Sequence, residues 1–122
     1  MGISYHFLPD RNILVATATG TLTPADNAQS NLRVKTELER HPGLRLMVDM
    51  RAAGVVATPM AMIAMIDAFF TLVGNRVRVA IITAGQAGDP NAMLVETKAF
   101  IAGAPIRVFD TTEAADAWLD RQ

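Results

Sequence analysis

Residues 3–8 alternate, with Ile3, Tyr5 and Phe7 on one side, which predicts a strand. "PDRN" reads as a turn, and the β-branched, apolar "ILVATAT" (13–19) as a second strand, the hairpin partner of the first. Three later stretches share an opening of aliphatic, Arg, aliphatic: "LRLMVDM" (44–50), "VRVAIIT" (77–83) and "IRVFDTT" (106–112). In the first, Leu44, Leu46, Val48 and Met50 oppose Arg45, Met47, Asp49 and Arg51. In the second, Val77, Val79 and Ile81 oppose Arg78, Ala80 and Ile82. In the third, Ile106 and Val108 oppose Arg107 and Phe109. Each strand therefore has one clean apolar face and one mixed face.

Helical segments separate them. Thr23 is placed to cap a helix with Pro24 at its first position and Asp26 near the positive dipole end; Pro42-Gly43 stops it at about Arg40. Thr58-Pro59 opens a second helix that ends at Gly74, and Asp89-Pro90 a third that ends at Gly103. Thr111 or Thr112 caps the last, "EAADAWLDRQ". The order β-β-α-β-α-β-α-β-α predicts an α/β domain: a five-stranded mixed sheet, made of the N-terminal hairpin plus parallel strands, with four helices. Right-handed crossovers between side-by-side strands place their helices on one face and leave the other only partly covered. In that register Arg45, Arg78 and Arg107 form a row about 4.8 Å apart. Such a row needs solvent, carboxylates or a bound anion to offset repulsion.

The helix 59–73, "PMAMIAMIDAFFTLV", is apolar nearly all round. With Asp67 toward solvent, Met62, Met65, Phe69 and Leu72 face the sheet, while Met60, Ile63 and Phe70 share the side of Asp67 and Thr71. A helix of this kind is buried or meets a partner, and exposed Met and Phe make an adaptable contact surface.

Composition narrows the function. The 122 residues fit one domain, 1–122, with 51% hydrophobic residues for its core. Eleven basic residues against twelve acidic give a net charge of −1, which attracts neither nucleic acid nor anionic membrane. With no cysteine there is no disulfide, thiolate nucleophile or Cys-based metal site. The N-terminus lacks a signal-peptide pattern, and Pro59 and Asp67 interrupt the longest apolar run, so no membrane span is expected and a cytoplasmic protein is.

The entry "LVATATGTLTPAD", the strands "LRLMVDMR" and "RVRVAIIT", and above all the ending "IRVFDTTEAADAWL" resemble the SpoIIAA-like family, relatives of the STAS domains of anti-sigma-factor antagonists. The resemblance covers most of the chain. It implies a β-α superhelix and a regulatory or ligand-binding role rather than chemistry. In the antagonists a serine that follows Asp at the start of the helix after the third strand is phosphorylated. The matching region here, "DMRAAGVVATPMAM", has no Asp-Ser pair, and Thr58 is the nearest hydroxyl.

Catalytic signals are weak. His6 and His41 have no serine or carboxylate at a telling spacing, and Ser4 and Ser30 sit in no nucleophile elbow. Asp49, Arg51, Thr83 and Asp110 lie near the C-terminal ends of parallel strands, where open α/β sheets bind ligands. The acidic pair and lysine of a phosphoryl-accepting receiver domain are missing around Asp49 and Thr83, so Asp49 also reads as a structural acid paired with Arg51 or a loop N–H. "TAGQAGDPN" is Gly-rich but lacks the Lys-Ser/Thr of a phosphate loop. The expectation is a non-enzymatic domain without cofactor or metal, binding a regulatory protein or ligand. It self-associates as a homodimer through Met60, Ile63, Asp67, Phe70 and Thr71. Three alternatives stand beside it: a small-molecule or lipid carrier, or an enzyme, using the crevice near Asp49 and Asp110; a phospho-switch at Thr58; and an anion site at Arg45, Arg78 and Arg107.

Overall fold

A computed structural model describes residues 2–84 and 90–121. The strands are β1 (Gly2–Leu8), β2 (Ile13–Leu22), β3 (Arg45–Val55), β4 (Val79–Ile82) and β5 (Ile106–Phe109). The helices are α1 (Pro24–Arg40), α2 (Pro59–Val73), α3 (Pro90–Ala102) and α4 (Thr112–Leu119). The strands lie side by side in chain order, β1 antiparallel to β2 and the other neighbours parallel. This is the five-stranded mixed sheet with four helices that the alternation predicts.

The clean strand faces become the larger core. Leu14, Leu46, Val79 and Ile106 stand level across four strands, all nearly sealed from solvent. Val34 of α1, Val73 of α2 and Ala99 of α3 pack on this row. These three helices belong to successive crossovers, and their shared side follows from the crossover handedness. The terminal helix α4 closes the other face, where Ala115, Trp118 and Leu119 cover Ile13, Met47, Ala80 and Ile82. Both faces of the central strands are thus covered.

Local signals set the helix starts. Thr23 and Asp26 form a reciprocal capping box at α1, with Pro24 in the first turn. Thr58 caps α2 and Thr111 caps α4 by accepting from Ala61 and Ala114 N–H. The expected Asp89 cap of α3, and the Gly-rich loop before it, lie outside the described residues. At its end α2 turns off through Gly74 at φ 62°, a left-handed conformation that favours glycine.

Strand β3 is longer than its apolar stretch predicts because a bulge carries it past Met50. Thr17 pairs with Asp49 and Thr19 with Ala52, so β3 holds one extra residue there.

Candidate functional site

Alternation along α2 leaves one side of it open. Ile66 and Val73 are its buried positions, with Phe69, Phe70 and Leu72 packed half-buried against the same core. Met60 is 77% exposed and Ile63 40%. Val56, just before the helix, and Met93 on α3 are exposed as well. Asp67 is exposed and takes Lys98 of α3 at 2.7 Å, a clamp between the two helices. The Thr71 hydroxyl donates back to the Asp67 carbonyl at 2.9 Å. Of the five residues expected to form an interface, Met60, Ile63, Asp67 and Thr71 are exposed. Phe70 belongs to the core margin instead, because it sits four residues after Ile66, on the buried stripe.

The four strand-end residues do not converge in one crevice. Asp49 accepts from the Arg51 guanidinium at 2.8 and 3.0 Å and from the Arg51 backbone N–H at 3.1 Å. That N–H belongs to the bulged segment, so Asp49 pins the bulge. Arg51 also donates to Thr112 Oγ1 at 3.0 Å, tying β3 to the start of α4. The Arg51 side chain holds the Asp49 carboxyl below its ordinary range; partial burial opposes this and the Arg51 N–H adds to it. Thr83 continues the β4 ladder through its N–H to Phe109. One residue past Ile82, which packs against α4, it falls to the opposite sheet face. Asp110 is exposed just beyond β5.

Nor do the arginines form a single row. Arg45 and Arg78 stand level at the feet of β3 and β4, whereas Arg107 pairs with Ala80, two residues further along. The first two serve α4: Arg45 donates to the Leu119 carbonyl and to Arg11 O, and Arg78 donates to Trp118 O at 2.9 Å. The Arg78 guanidinium also lies 4.2 Å over the Trp118 ring. Arg11, from the hairpin turn, adds Asp116 at 3.1 Å and Asp120 at 2.8 Å. These arginines meet the negative end of a helix dipole and its open carbonyls.

Strand periodicity alone did not reveal two further features. Glu37 of α1 is buried, with Arg40, His41 and Arg33 at 3.4, 3.5 and 3.6 Å. A groove of about 290 Å³ runs beside β5 between α3 and α4, lined by Glu96, Phe100, Pro105, Ile106, Arg107 and Trp118 among others. The signal was present in "KAFIAGAP", where Phe100 and Ile101 end α3 on its exposed side.

A model of the SpoIIAA-like family matches residues 13–120. The chain belongs to the SpoIIAA-like family. Among solved structures, it is similar to a protein of the DUF3478 family from Shewanella loihica PV-4 with a SpoIIAA-like fold. The two share 18% identity and a TM-score of 0.69, over 97% of this chain and 93% of that one. It is also similar to the anti-sigma factor antagonist SpoIIAA in its unphosphorylated form, at 12% identity and a TM-score of 0.56, over 95% and 94% of the two chains. At these identities the likeness is one of fold. No curated protein matches the chain. Within this SpoIIAA-like frame Thr58 is exposed, and its Oγ1 is engaged as the α2 cap at 3.1 Å from Ala61 N. Among the described residues no helix is long and apolar enough to cross a membrane.

Proposed function

We propose that this chain is a non-enzymatic regulatory domain that acts by binding protein, associating with a second copy of itself through the outer face of α2. The exposure of Met60 and Ile63 carries this reading: two large apolar side chains stand in water on a helix whose buried stripe is already satisfied. Val56, four residues before Met60, is a further exposed apolar side chain, and the Asp67–Lys98 pair gives the face a polar margin. A regulatory role accords with membership of the SpoIIAA-like family and with the antagonist whose fold it shares. Sedimentation equilibrium of the wild type and of Met60→Asp/Ile63→Asp tests it. A concentration-dependent mass that falls in the double variant is expected. A mass unaffected by the pair removes the α2 contact.

The second reading is a carrier of a small apolar ligand. The groove beside β5 favours it, in place of the crevice near Asp49 and Asp110, because Phe100 and Trp118 line that groove. Titration with a fluorescent apolar probe, repeated on Phe100→Ala, checks it; equal binding by both proteins counts against the groove.

A further inference from the structure

The two margins of the sheet are built in opposite ways. Strand β5 is four residues long and follows Pro105, which has no N–H. The Val79 and Thr83 N–H groups bond Pro105 and Phe109, so the odd-numbered residues of β5 face β4 and Ile106 and Val108 face outward. Both outward donors are already taken. Ile106 N–H turns back to the Ala104 carbonyl at 2.9 Å, and Val108 N–H meets the Glu96 carboxylate at 3.2 Å. The charge of Arg107 adds to this protection.

Strand β1 has none of these devices. It runs for seven residues, "GISYHFL", without proline, Asp, Glu, Lys or Arg. Asn12 O accepts from Arg45 N–H, so Asn12 faces β3 and Ile13, next along β2, faces β1. Ile13 pairs with Leu8, which turns Leu8, His6, Ser4 and Gly2 toward β2 and Ile3, Tyr5 and Phe7 outward. Among the described residues, nothing accepts from the outward N–H groups of Ile3, Tyr5 and Phe7.

We propose that the β1 edge pairs antiparallel with the β1 edge of a second copy, about a two-fold axis at Tyr5. The strand is complementary to itself in this register. Tyr5 faces Tyr5 of the second copy and Ile3 faces its Phe7, each pair exchanging both backbone bonds. Ser4 and His6, both exposed, face each other across the axis, so no like charges meet. The β5 edge offers no such match: pairing Ile106 with Val108 of a second copy sets Arg107 against Arg107 and displaces Glu96. This contact goes beyond the α2 reading and does not depend on it, since it lies at the sheet margin. A chain using both surfaces closes as a tetramer or extends as an open array.

Charge placement tests the proposal. Ser4→Glu/His6→Glu sets carboxylates opposite one another in the pair, whereas Ser4→Glu/His6→Lys sets opposite charges there; both leave the fold's buried residues alone. The first variant is expected to weaken association about tenfold or more, and the second to restore it. Amide hydrogen exchange supplies the second readout. In the wild type, the Ile3, Tyr5 and Phe7 amides gain protection with concentration, in addition to Ser4, His6 and Leu8, which β2 already protects. Unprotected odd-numbered amides at the highest concentration, or a mass indifferent to Ser4→Glu/His6→Glu, overturns the contact. Dissociation by both charge variants overturns the register. Met60→Asp/Ile63→Asp is expected to leave β1 protection intact; if it abolishes all association while β1 amides are open in the wild type, the α2 contact stands and this one falls.

Discussion

The Arg78 guanidinium lies 4.2 Å above the indole of Trp118 and donates at 2.9 Å to the carbonyl of the same residue. One side chain thus holds both the ring and the backbone end of α4. Arg45, level with it on β3, donates to the next carbonyl, that of Leu119. The recurring arginine of the parallel strands is explained at two of its three positions: a helix of eight residues is marginal alone, and cations bound to its last carbonyls fix it to the sheet.

Replacing Arg78 by Met, which keeps the aliphatic stem, is expected to destabilise the fold by about 2 kcal/mol, combining a charged hydrogen bond with a cation–aromatic contact. Arg78→Lys is expected to recover only part, because an ammonium lacks the planar fork that stacks and donates together. Urea denaturation followed by the fluorescence of Trp118, the one tryptophan, reports both. A midpoint unchanged in Arg78→Met shows that α4 is held by its apolar face alone.

How much of this was legible in the residues depended on whether the cause was local. Strand alternation, Thr-Pro starts and Gly stops depend on neighbours in sequence, and they placed all nine elements and their order. Helical phase counted from Asp67 puts Phe70 on the open side, whereas the buried stripe is centred on Ile66 and Val73 and Phe70 packs at its margin. The arginine row failed for a different reason: Arg107 is displaced by the strand register, which no single strand encodes. The pairing of Asp49 with Arg51 was legible, because it joins residues two apart in sequence; the bulge that their backbone bond spans was not, because it depends on the register with β2.

Asp49 carries a pH prediction. Its carboxyl is held below the ordinary value by Arg51, so the folded state favours the ionised form. The stabilisation is fully present above the unfolded value near pH 4 and is lost as pH falls through the lower folded value. Asp49→Asn is therefore expected to be less stable than the wild type at neutral pH, with the gap closing in acid. Denaturation midpoints measured from neutral pH to about pH 3 check this. A gap that stays constant or widens in acid contradicts the assigned pairing.

Thr58 separates a cap from a switch. As the α2 cap it is expected to cost about 1 kcal/mol when replaced by Ala and almost nothing when replaced by Ser or Asp, which cap equally well. A phosphate there adds negative charge at a helix N-terminus, which favours the helix, so modification would act on a partner rather than unfold α2. Thermal unfolding of the three variants tests the cap, and mass spectrometry of protein isolated from growing cells tests the modification. If Thr58→Asp is as destabilised as Thr58→Ala, the capping assignment fails.

Met60 and Phe70 share an apolar helix but are expected to respond to a charge to very different degrees. Met60 is 77% exposed, so Met60→Asp removes no buried contact and is expected to leave the unfolding free energy within about 0.5 kcal/mol of the wild type. Phe70 packs against the core beside Phe69 and Leu72, so Phe70→Asp forces a carboxylate against apolar neighbours and is expected to cost about 3 kcal/mol or more. The comparison matters for the proposed α2 contact, because loss of association in Phe70→Asp reports unfolding, whereas loss in Met60→Asp reports the surface. Denaturant titration at a concentration low enough for a monomer isolates the fold from association. Equal destabilisation by the two substitutions places Met60 inside the core and leaves α2 no open apolar side.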